Sequence, residues 1–178
     1  MISGIDYLKK MYPDRDDKDY QPSGLDLRLG KVFTLSPNQS LFPCGIYGGE
    51  KHIPKHKEME TVKMNGCDVW ELYPDEPYIC QVQEQIQIGS SNAQFYLPRS
   101  TLLRAGVNVY TALGDLGYNG HLSFLVINHG YTPFYIEKGE RFAQLIDFEV
   151  RGGSESYDGD YQEKPGRIGC TSTLGFNR

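Results

Sequence analysis

The sequence predicts an all-β fold of the sandwich or jelly-roll kind, in one domain. Short apolar segments with strand character recur between turn sequences, and only two short segments have the pattern of a helix. The 178 residues are 39% hydrophobic and 12% aromatic, which is enough for a real core. The predicted strands cover residues 25–29, 31–35, 70–73, 78–88, 94–97, 121–127, 134–136 and 141–150.

A short amphipathic helix is predicted near the amino terminus. Ser3 offers a cap, Asp6 follows three residues later, and the apolar positions run through Leu8 before Pro13 ends the segment. The charged run that follows, residues 14–19, is predicted to be solvated surface.

The next element is a strand with one buried face. Leu25, Leu27 and Leu29 alternate with Asp26 and Arg28, which is the two-residue period of a strand. The two charged side chains are therefore predicted to share the other face.

Residues 43–66 are predicted to form a long surface loop. The segment contains two histidines, His52 and His56, among glycines and lysines. They lack a patterned cysteine or carboxylate partner, so an ordinary loop is favoured over a metal site.

The second predicted helix begins beside a candidate anion site. Ser100 can cap a short helix that follows Arg99, and Gly106 stands where a left-handed residue would end it. Unpaired backbone donors and a positive dipole end favour an anion at such a helix start. Phosphate is the expected ligand.

A glycine-rich turn at residues 114–120 presents one acid, Asp115, and one aromatic ring, Tyr118. We interpret Arg99 and this turn as a triphosphate clamp beside an acid that can activate water. Each residue also has a plainer interpretation. Asp115 is typical of ordinary turns, Tyr118 of a core, and Arg99 and Arg104 of surface ion pairs.

The charge of the chain limits its partners. A formal net charge of −5 argues against a broad basic surface for nucleic acid, so a polyanionic substrate must be bound by a few placed arginines. No apolar run after Met1 is long enough for a signal peptide or a membrane span, so we expect a cytoplasmic protein that binds no membrane. Cys44, Cys67, Cys80 and Cys170 show no C-x-x-C spacing, which favours reduced thiols over a zinc site.

The last segment, residues 151–178, is predicted to be a flexible tail that follows a domain at residues 1–150. It is rich in Gly, Ser and Thr and has little to bury, so it either becomes ordered on a ligand or stays disordered. The candidate phosphate donors in the tail are Ser172, Thr173, Arg167 and Arg178.

Four sequence motifs occur in order along most of the chain. They are Ser23-Gly-Leu-Asp26-Leu-Arg28, Pro98-Arg-Ser100-Thr, Gly114-Asp115-Leu-Gly-Tyr118-Asn-Gly120 and Gly139-Glu-Arg141-Phe-Ala-Gln144-Leu. This set resembles the first four motifs of the trimeric dUTPase and dCTP deaminase superfamily. The resemblance implies a homotrimer of jelly-roll-like distorted barrels, each with two short helices, and active sites shared between neighbouring subunits.

Different parts of the chain resemble different branches of that superfamily. The amino-terminal third and the segment from Arg99 to Gly106 are similar to the deaminases, whereas the turn with Asp115 and the fourth motif are similar to the dUTPases. The deaminases place a proton-shuttling glutamate on the strand after the third motif, where this chain has Leu125. Leucine cannot move a proton, and such general acid–base chemistry contributes about 10²–10⁴ in rate, so deamination is disfavoured.

The resemblance then implies hydrolysis of dUTP to dUMP and pyrophosphate. Asp115 would orient and deprotonate the water that attacks the α-phosphorus, Asn108 would begin the backbone segment that binds the base, and Tyr118 would sit against the sugar. The implied phosphate-binding residues are Arg99, Ser100, Thr101, Arg104, Arg141 and Gln144. Mg²⁺ would be carried by the phosphate oxygens, with Asp26 reaching the ion through water.

Gln144 gives one expectation that does not depend on the resemblance. Along the predicted strand it lies on the same face as Phe142, Ile146 and Phe148. If that face is buried, the amide needs a partner, which a ligand or a trimer interface would supply.

Two other activities are alternatives. A dCTP deaminase, possible also as a bifunctional enzyme, would use another acid such as Glu137 or Glu140. A catalytically silent nucleotide-binding regulator would explain why the glycine-rich fifth motif of the dUTPases is distorted here, at residues 166–176. Residues 157–162 are instead similar to the deaminase tail, so the sequence leaves the identity of the closing lid open.

Overall fold

The computed structural model describes residues 2–36, 44–47, 50–152, 155–159 and 162, and its main element is a nearly closed β sheet. The helices among these residues are α1 (Ile5–Met11), a 3₁₀ turn (Asp17–Asp19) and α2 (Ser100–Arg104). The strands are β1 (Tyr20–Gln21), β2 (Gly24–Ser36), β3 (Gly45–Tyr47), β4 (Glu50–His52), β5 (Lys55–Glu58), β6 (Val62–Met64), β7 (Cys67–Leu72), β8 (Pro77–Gln87), β9 (Asn92–Pro98), β10 (Val107–Tyr110), β11 (Asn119–Asn128), β12 (Phe134–Glu137) and β13 (Arg141–Glu149). The predicted all-β class with two short helices is confirmed. No helix in the described ranges is long and apolar enough to cross a membrane.

The large sheet runs in the order β10, β11, β8, β2, β13, β9, and β1 and β5 also pair with β2. Gln94 of the end strand β9 forms an isolated antiparallel bridge with Gly114, in the segment that follows the other end strand, β10. The two backbones exchange hydrogen bonds of 3.0 and 2.8 Å, which almost closes the sheet into a barrel. Strands β12, β7 and β6 form a separate three-stranded sheet, and β3 pairs with β4.

The buried face of β2 is the predicted one. Leu25, Leu27 and Leu29 are fully buried, as the alternation in the sequence indicates. Asp26 and Arg28 lie on the opposite face, as expected. Asp26 is nevertheless only 2% exposed, because other side chains cover that face.

The predicted side-chain caps are wrong for both α helices, since neither has a side-chain hydrogen bond at its start. Ser3 donates instead from Oγ to Oδ1 of Asp147 at 2.6 Å, so a distant strand takes the hydroxyl. Ser100 is the first residue of α2 and lies inside the helix. Gly106 follows α2 with a φ of +79°, as predicted for a left-handed residue at a helix end.

A bulge changes which residues of β13 share a face. Two steps along β13, from Arg141 to Ala143, stand against a single step of β2, with Phe142 as the extra residue. Phe142 is therefore turned into the core, 1% exposed, whereas Gln144 and Ile146 lie half-buried on the outer face. The prediction that Phe142 and Gln144 share a face is wrong, because the bulge interrupts the two-residue period.

The predicted surface loop at residues 43–66 is also wrong in its conformation. Its described part contains β3, β4, β5 and β6. β5 pairs with β2, and β6 pairs with β7. Most described side chains of β3, β5 and β6 are exposed, so these are short surface strands with little apolar patterning to predict them.

Gly24 begins β2 directly against β13, so we expect Gly24→Ala to lower the free energy of unfolding by about 1–3 kcal/mol. A Cβ there would overlap the carbonyl oxygen of Leu145, which belongs to the backbone and cannot rotate away. Gly4→Ala is the matched control. Nothing lies within 4 Å of a Cβ at that position, and alanine removes similar entropy from the unfolded chain. Urea unfolding measures both, and equal midpoints would contradict the close approach of β2 to β13.

Candidate active site

Three of the four motifs meet because β13 lies between β2 and β9 in the sheet. Gln144 of β13 is directly opposite Asp26 of β2. On its other edge, the first part of β13 pairs with the end of β9, just before Arg99. The backbone of Arg99 donates to the carbonyl oxygen of Phe142 at 3.1 Å, which fixes the start of α2 beside β13.

Asp26 is the centre of the cluster that results. Its Oδ2 accepts a hydrogen bond from Nη1 of Arg141 at 3.2 Å and forms a short ion pair with Nη1 of Arg99. The Asp26 side chain is 3% exposed, whereas those of Arg99 and Arg141 are 27% and 26% exposed. The anion is thus buried, and part of each cation is open to a second anion from solvent. Burial raises the pKa of Asp26 above its ordinary value, while the two arginines act in the opposite direction.

The charged segment before β1 supports this cluster. The prediction that residues 14–19 are solvated surface is right for four side chains, those of Asp14, Asp16, Asp17 and Lys18, which are exposed. It is wrong for Asp19, which is buried. The carbonyl oxygen of Lys18 accepts a hydrogen bond from Nη1 of Arg141 at 2.9 Å. Asp19 is 1% exposed and accepts from Arg28 at 2.7 and 3.0 Å and from Arg15 at 3.2 Å. Burial lowers the pKa of Arg28, but the hydrogen bond and the charge of Asp19 outweigh it, and the net shift is upward. A run of alternating charges on a short segment gives no sequence signal for such burial.

The helix after Arg99 is too short to carry the predicted anion site by itself. α2 has five residues, and a helix of this length has only a weak dipole. Ser100, Thr101 and Arg104 are all exposed. The cationic character of this place therefore comes from the side chains of Arg99 and Arg141.

The turn with Asp115 is held by its backbone. Gly114 pairs with Gln94, the amide of Tyr118 donates to the carbonyl oxygen of Asp115 at 3.1 Å, and Gly117 has a φ of +77°. The Asp115 side chain is exposed. A carboxylate on a turn fixed at both ends can keep one orientation toward a ligand.

The start of the tail packs on the same turn. The amide of Tyr157 donates to the carbonyl oxygen of Leu116 at 2.7 Å, and the Tyr157 ring meets that of Tyr118 edge-on at 5.8 Å. Nε2 of Gln162 donates to the carbonyl oxygen of Gly117 at 3.0 Å. Tyr118 is 9% exposed and belongs to the core, with its hydroxyl donating to a backbone carbonyl.

Four tail residues predicted as phosphate donors lie outside the described residues: Ser172, Thr173, Arg167 and Arg178.

The two halves of the candidate site lie at opposite ends of β9 within one subunit. Gly114, next to Asp115, is bridged to Gln94, and Arg99 is five residues further along the chain. At a rise of about 3.3 Å per residue, these ends are roughly 16 Å apart. This backbone spacing separates the Asp115 turn from Arg99 within one subunit, so a nucleotide that contacts both must extend along β9.

A chain of hydrogen bonds that the sequence did not indicate ends at Asn108. Nδ1 of His129 lies 3.2 Å from Oδ1 of Asp75, and its Nε2 lies 3.3 Å from the hydroxyl of Tyr110. Asn108 donates to the same hydroxyl at 3.5 Å. Tyr110 is opposite Leu125 in the β10–β11 pair, so this chain borders the position where the deaminases have a glutamate. His129 is 54 residues from Asp75 and 19 from Tyr110 in sequence, so no local pattern indicates this chain.

The two acids considered for deamination, Glu137 and Glu140, lie outside the large sheet that carries Leu125. Leu125 is half-buried on the outer face of β11. Glu137 belongs to the separate three-stranded sheet, where it raises the pKa of Cys67 by its charge and a hydrogen bond. Glu140 is exposed in the turn before β13. Neither acid is in the eight-stranded sheet that carries Leu125 and Asp26.

A family model described as dCTP deaminase-like matches residues 6–150. The chain belongs to this family. This dCTP deaminase-like chain is 39% identical over 161 residues to a probable deoxyuridine 5'-triphosphate nucleotidohydrolase of Methanopyrus kandleri, a match that covers 90% of the chain and 99% of the relative. It is also 39% identical over 163 residues to the protein of the same description from Methanothermobacter thermautotrophicus, covering 92% of the chain and 100% of that relative.

The fold is shared with a solved dCTP deaminase. The crystal structure of 2'-deoxycytidine 5'-triphosphate deaminase from Agrobacterium tumefaciens matches with a TM-score of 0.61 at 19% identity. The match covers 82% of this dCTP deaminase-like chain and 47% of that longer chain. The family model and the two 39% identical relatives confirm the superfamily predicted from the four motifs.

The carboxylate of Asp26 gives a prediction that depends on pH. Burial raises the pKa of Asp26 in the folded protein above 3.8, so protonation of its carboxyl stabilises the folded state at low pH. This contribution to the free energy of unfolding is lost as pH rises through the folded pKa. Asp26→Asn stays neutral. We therefore expect its free energy of unfolding to rise relative to the unmodified protein between about pH 4 and pH 7.

Urea unfolding across that range measures the trend, with Asp17→Asn as the control. A hydrogen bond from Lys9 lowers the pKa of Asp17, so its stabilising contribution is already complete above its ordinary pKa of 3.8. The control should show no trend above about pH 4. A relative loss of stability in Asp26→Asn as pH rises would mean that the two arginines outweigh burial.

Proposed function

We propose that this chain hydrolyses dUTP to dUMP and pyrophosphate, with Mg²⁺ carried on the phosphates of the substrate. The observation that carries the proposal is the exposed carboxylate of Asp115 on a backbone-fixed turn, in a chain whose 39% identical relatives are named dUTP nucleotidohydrolases. A carboxylate held in this way is a competent base for water. Leu125, where a deaminase needs a proton shuttle, has no group that can transfer one.

The triphosphate would bind at the arginine cluster. Arg99 and Arg141 supply local positive charge in a chain whose net charge is −5, and phosphoryl transfer depends on such neutralisation. Their contact with Asp26 orients both guanidinium groups before the substrate arrives. The remaining proposed phosphate contacts are the exposed or half-exposed side chains of Ser100, Thr101, Arg104 and Gln144.

The residues present fit a metal ion that arrives with the substrate. No group of three or more His, Cys, Asp or Glu among the described residues could hold an ion alone. Mg²⁺ prefers oxygen ligands and keeps several waters, so phosphate oxygens suit it, and when bound it neutralises charge on the triphosphate. Both arginines contact Oδ2 of Asp26, so Oδ1 is the oxygen that would hold a water of the ion.

Base and sugar would be recognised around the Asp115 turn. The backbone that follows Asn108 would bind the base, because main-chain donors and acceptors can match a pyrimidine edge. Tyr118 would lie against the sugar, and the tail, residues 151–178, would close over the site with Ser172 and Thr173 as further phosphate donors. The substrate class agrees with the cytoplasmic location predicted from the sequence.

A second subunit would complete each site. The backbone at Gln94, which is bridged to the turn with Asp115, and the backbone at Arg99 are roughly 16 Å apart along one β9. This separation favours an assembly that brings the Asp115 of one copy to the arginines of another. The outer face of β9 and β13 offers a surface for this assembly. Phe95 and Leu97 are 53% and 49% exposed there, and Phe95 stacks on Phe148 at 4.9 Å. We propose that this face packs against neighbouring copies in a homotrimer.

The substrate follows from one assay of the intact protein. Incubation with each deoxynucleoside triphosphate and Mg²⁺, with pyrophosphate and ammonia measured separately, should give pyrophosphate from dUTP and no ammonia from dCTP.

Asp115→Asn should reduce turnover by about 10²–10⁴ while dUTP affinity by calorimetry stays within a few-fold, because the amide keeps the shape but cannot take a proton.

The control is Asp6→Asn, which makes the same change at another exposed aspartate, in the first turn of α1 and outside the arginine cluster. It should keep full turnover. Ammonia from dCTP would favour the deaminase. Tight dUTP binding without pyrophosphate would favour a silent regulator, and full turnover in Asp115→Asn would remove that residue from the mechanism.

Sharing of the site between subunits predicts complementation. Arg99→Ala and Asp115→Asn should each be inactive alone, yet mixed trimers should recover about a quarter of the unmodified activity. Each shared site takes Asp115 from one copy and Arg99 from another. In a random equal mixture of the two variants, about a quarter of the sites receive both unmodified residues. Unfolding and refolding the two variants together, then measuring pyrophosphate from dUTP, makes the mixture. No recovery, with mixed trimers shown by mass spectrometry, would place both residues in one subunit.

A further inference from the structure

A buried chain of polar side chains lies beneath the turn that carries Asp115. Its central member is Gln94, which is 1% exposed. Nε2 of Gln94 donates to Oδ2 of Asp147 at 3.1 Å and to the hydroxyl of Tyr12 at 3.0 Å, and Oε1 accepts from the hydroxyl of Tyr96 at 2.9 Å. Both amide protons and the oxygen of this buried side chain thus have partners.

The backbone of the same residue holds the turn. Its amide donates to the carbonyl oxygen of Gly114, and its carbonyl oxygen accepts from the amide of Gly114. A Cβ at Gly114 would overlap the hydroxyl of Tyr96 and come within 2.7 Å of Cδ1 of Ile88. Gly114 is therefore packed directly onto Tyr96, the partner of the Gln94 side chain.

The chain of polar side chains around Gln94 is anchored at its far end by residues outside the four motifs. Asp147 is 3% exposed and also accepts from Ser3 and from Asn92, each at 2.6 Å. The hydroxyl of Tyr12 donates to the carbonyl oxygen of Gln87 at 3.2 Å. Burial raises the pKa of Tyr12 to about 12, so its hydroxyl stays protonated near neutral pH. Such a buried and fully paired network resists small displacements, because each one breaks a bond in a place without water.

We infer that Gln94 is a positioning residue that fixes the Asp115 turn, through its paired backbone and its side-chain bonds to Asp147, Tyr12 and Tyr96. This inference rests on the proposed hydrolysis, since it gives Asp115 the water-activating role. Gln94 does not touch the reacting atoms. It determines where the carboxylate of Asp115 stands before the substrate binds.

The test is Gln94→Met, which keeps an unbranched side chain of similar length but removes the donors to Asp147 and Tyr12. We expect kcat for dUTP to fall on the order of 10- to 100-fold, because a displacement of about 1 Å is enough for a loss of that size. KM should rise by a smaller factor than kcat falls, because the arginine cluster at the other end of β9 is unaltered. Hydrogen exchange at the amide of Gly114 should become faster.

Asn92→Ala is the matched control, because it removes another hydrogen bond to the same carboxylate from the same strand, two residues away from the Gly114 bridge. It should lower the unfolding midpoint while leaving kcat and Gly114 exchange unchanged. Tyr96→Phe is the milder second variant. It removes one hydroxyl, and we expect the same changes in kcat and Gly114 exchange to a smaller extent. Tyr96→Phe takes the place of Gln94→Met in the test if Gln94→Met does not fold.

The outcomes separate this inference from the proposed function. If the unmodified protein releases no pyrophosphate from dUTP, the proposed hydrolysis fails, and exchange at Gly114 still shows whether Gln94 holds the turn. If the unmodified protein is active but Gln94→Met keeps its kcat, the positioning role is wrong. The role is equally wrong if Asn92→Ala and Gln94→Met lose kcat in proportion to their loss of stability.

Discussion

Strand β13 is hydrogen-bonded along both edges, to β2 and to β9, and this double pairing determines which side chains meet at the candidate site. Asp26, Arg99 and Arg141 belong to three separate motifs, yet each stands at or near one of these three adjacent strands. The bulge in β13 adds to this arrangement, since it separates Phe142, which enters the core, from the outer face that carries Gln144. One sheet order thus builds both the phosphate end of the site and the apolar core beneath it.

The buried charges are organised so that cations face the solvent. Asp26 and Asp19 are nearly inaccessible, while the arginines around them stay partly exposed. Buried ion pairs of this kind add little net stability, because desolvation opposes their attraction. Their value here is geometric, since they fix guanidinium groups in a protein whose overall charge would repel a triphosphate.

The other end of the site depends on main-chain geometry. The Gln94–Gly114 bridge almost closes the barrel and also holds the turn with Asp115. The same strand, β9, leads from this bridge to Arg99, and its length keeps the acid away from the arginines of its own subunit. A nearly closed barrel with its acid and its cations toward opposite ends of one strand is suited to sites completed by a neighbouring copy.

The sequence by itself determined the fold class, the buried face of β2, the left-handed Gly106 and the four ordered motifs. These features depend on local periodicity, on glycine conformation or on short contiguous patterns. The tertiary structure alone decided that Ser3 pairs with Asp147, that Lys18 and Asp19 support the arginines, and that Gln94 lies beneath the Asp115 turn. Each of these depends on a partner far away in the chain, and a local pattern carries no information about which distant strand will compete for a hydroxyl, a carboxylate or an amide.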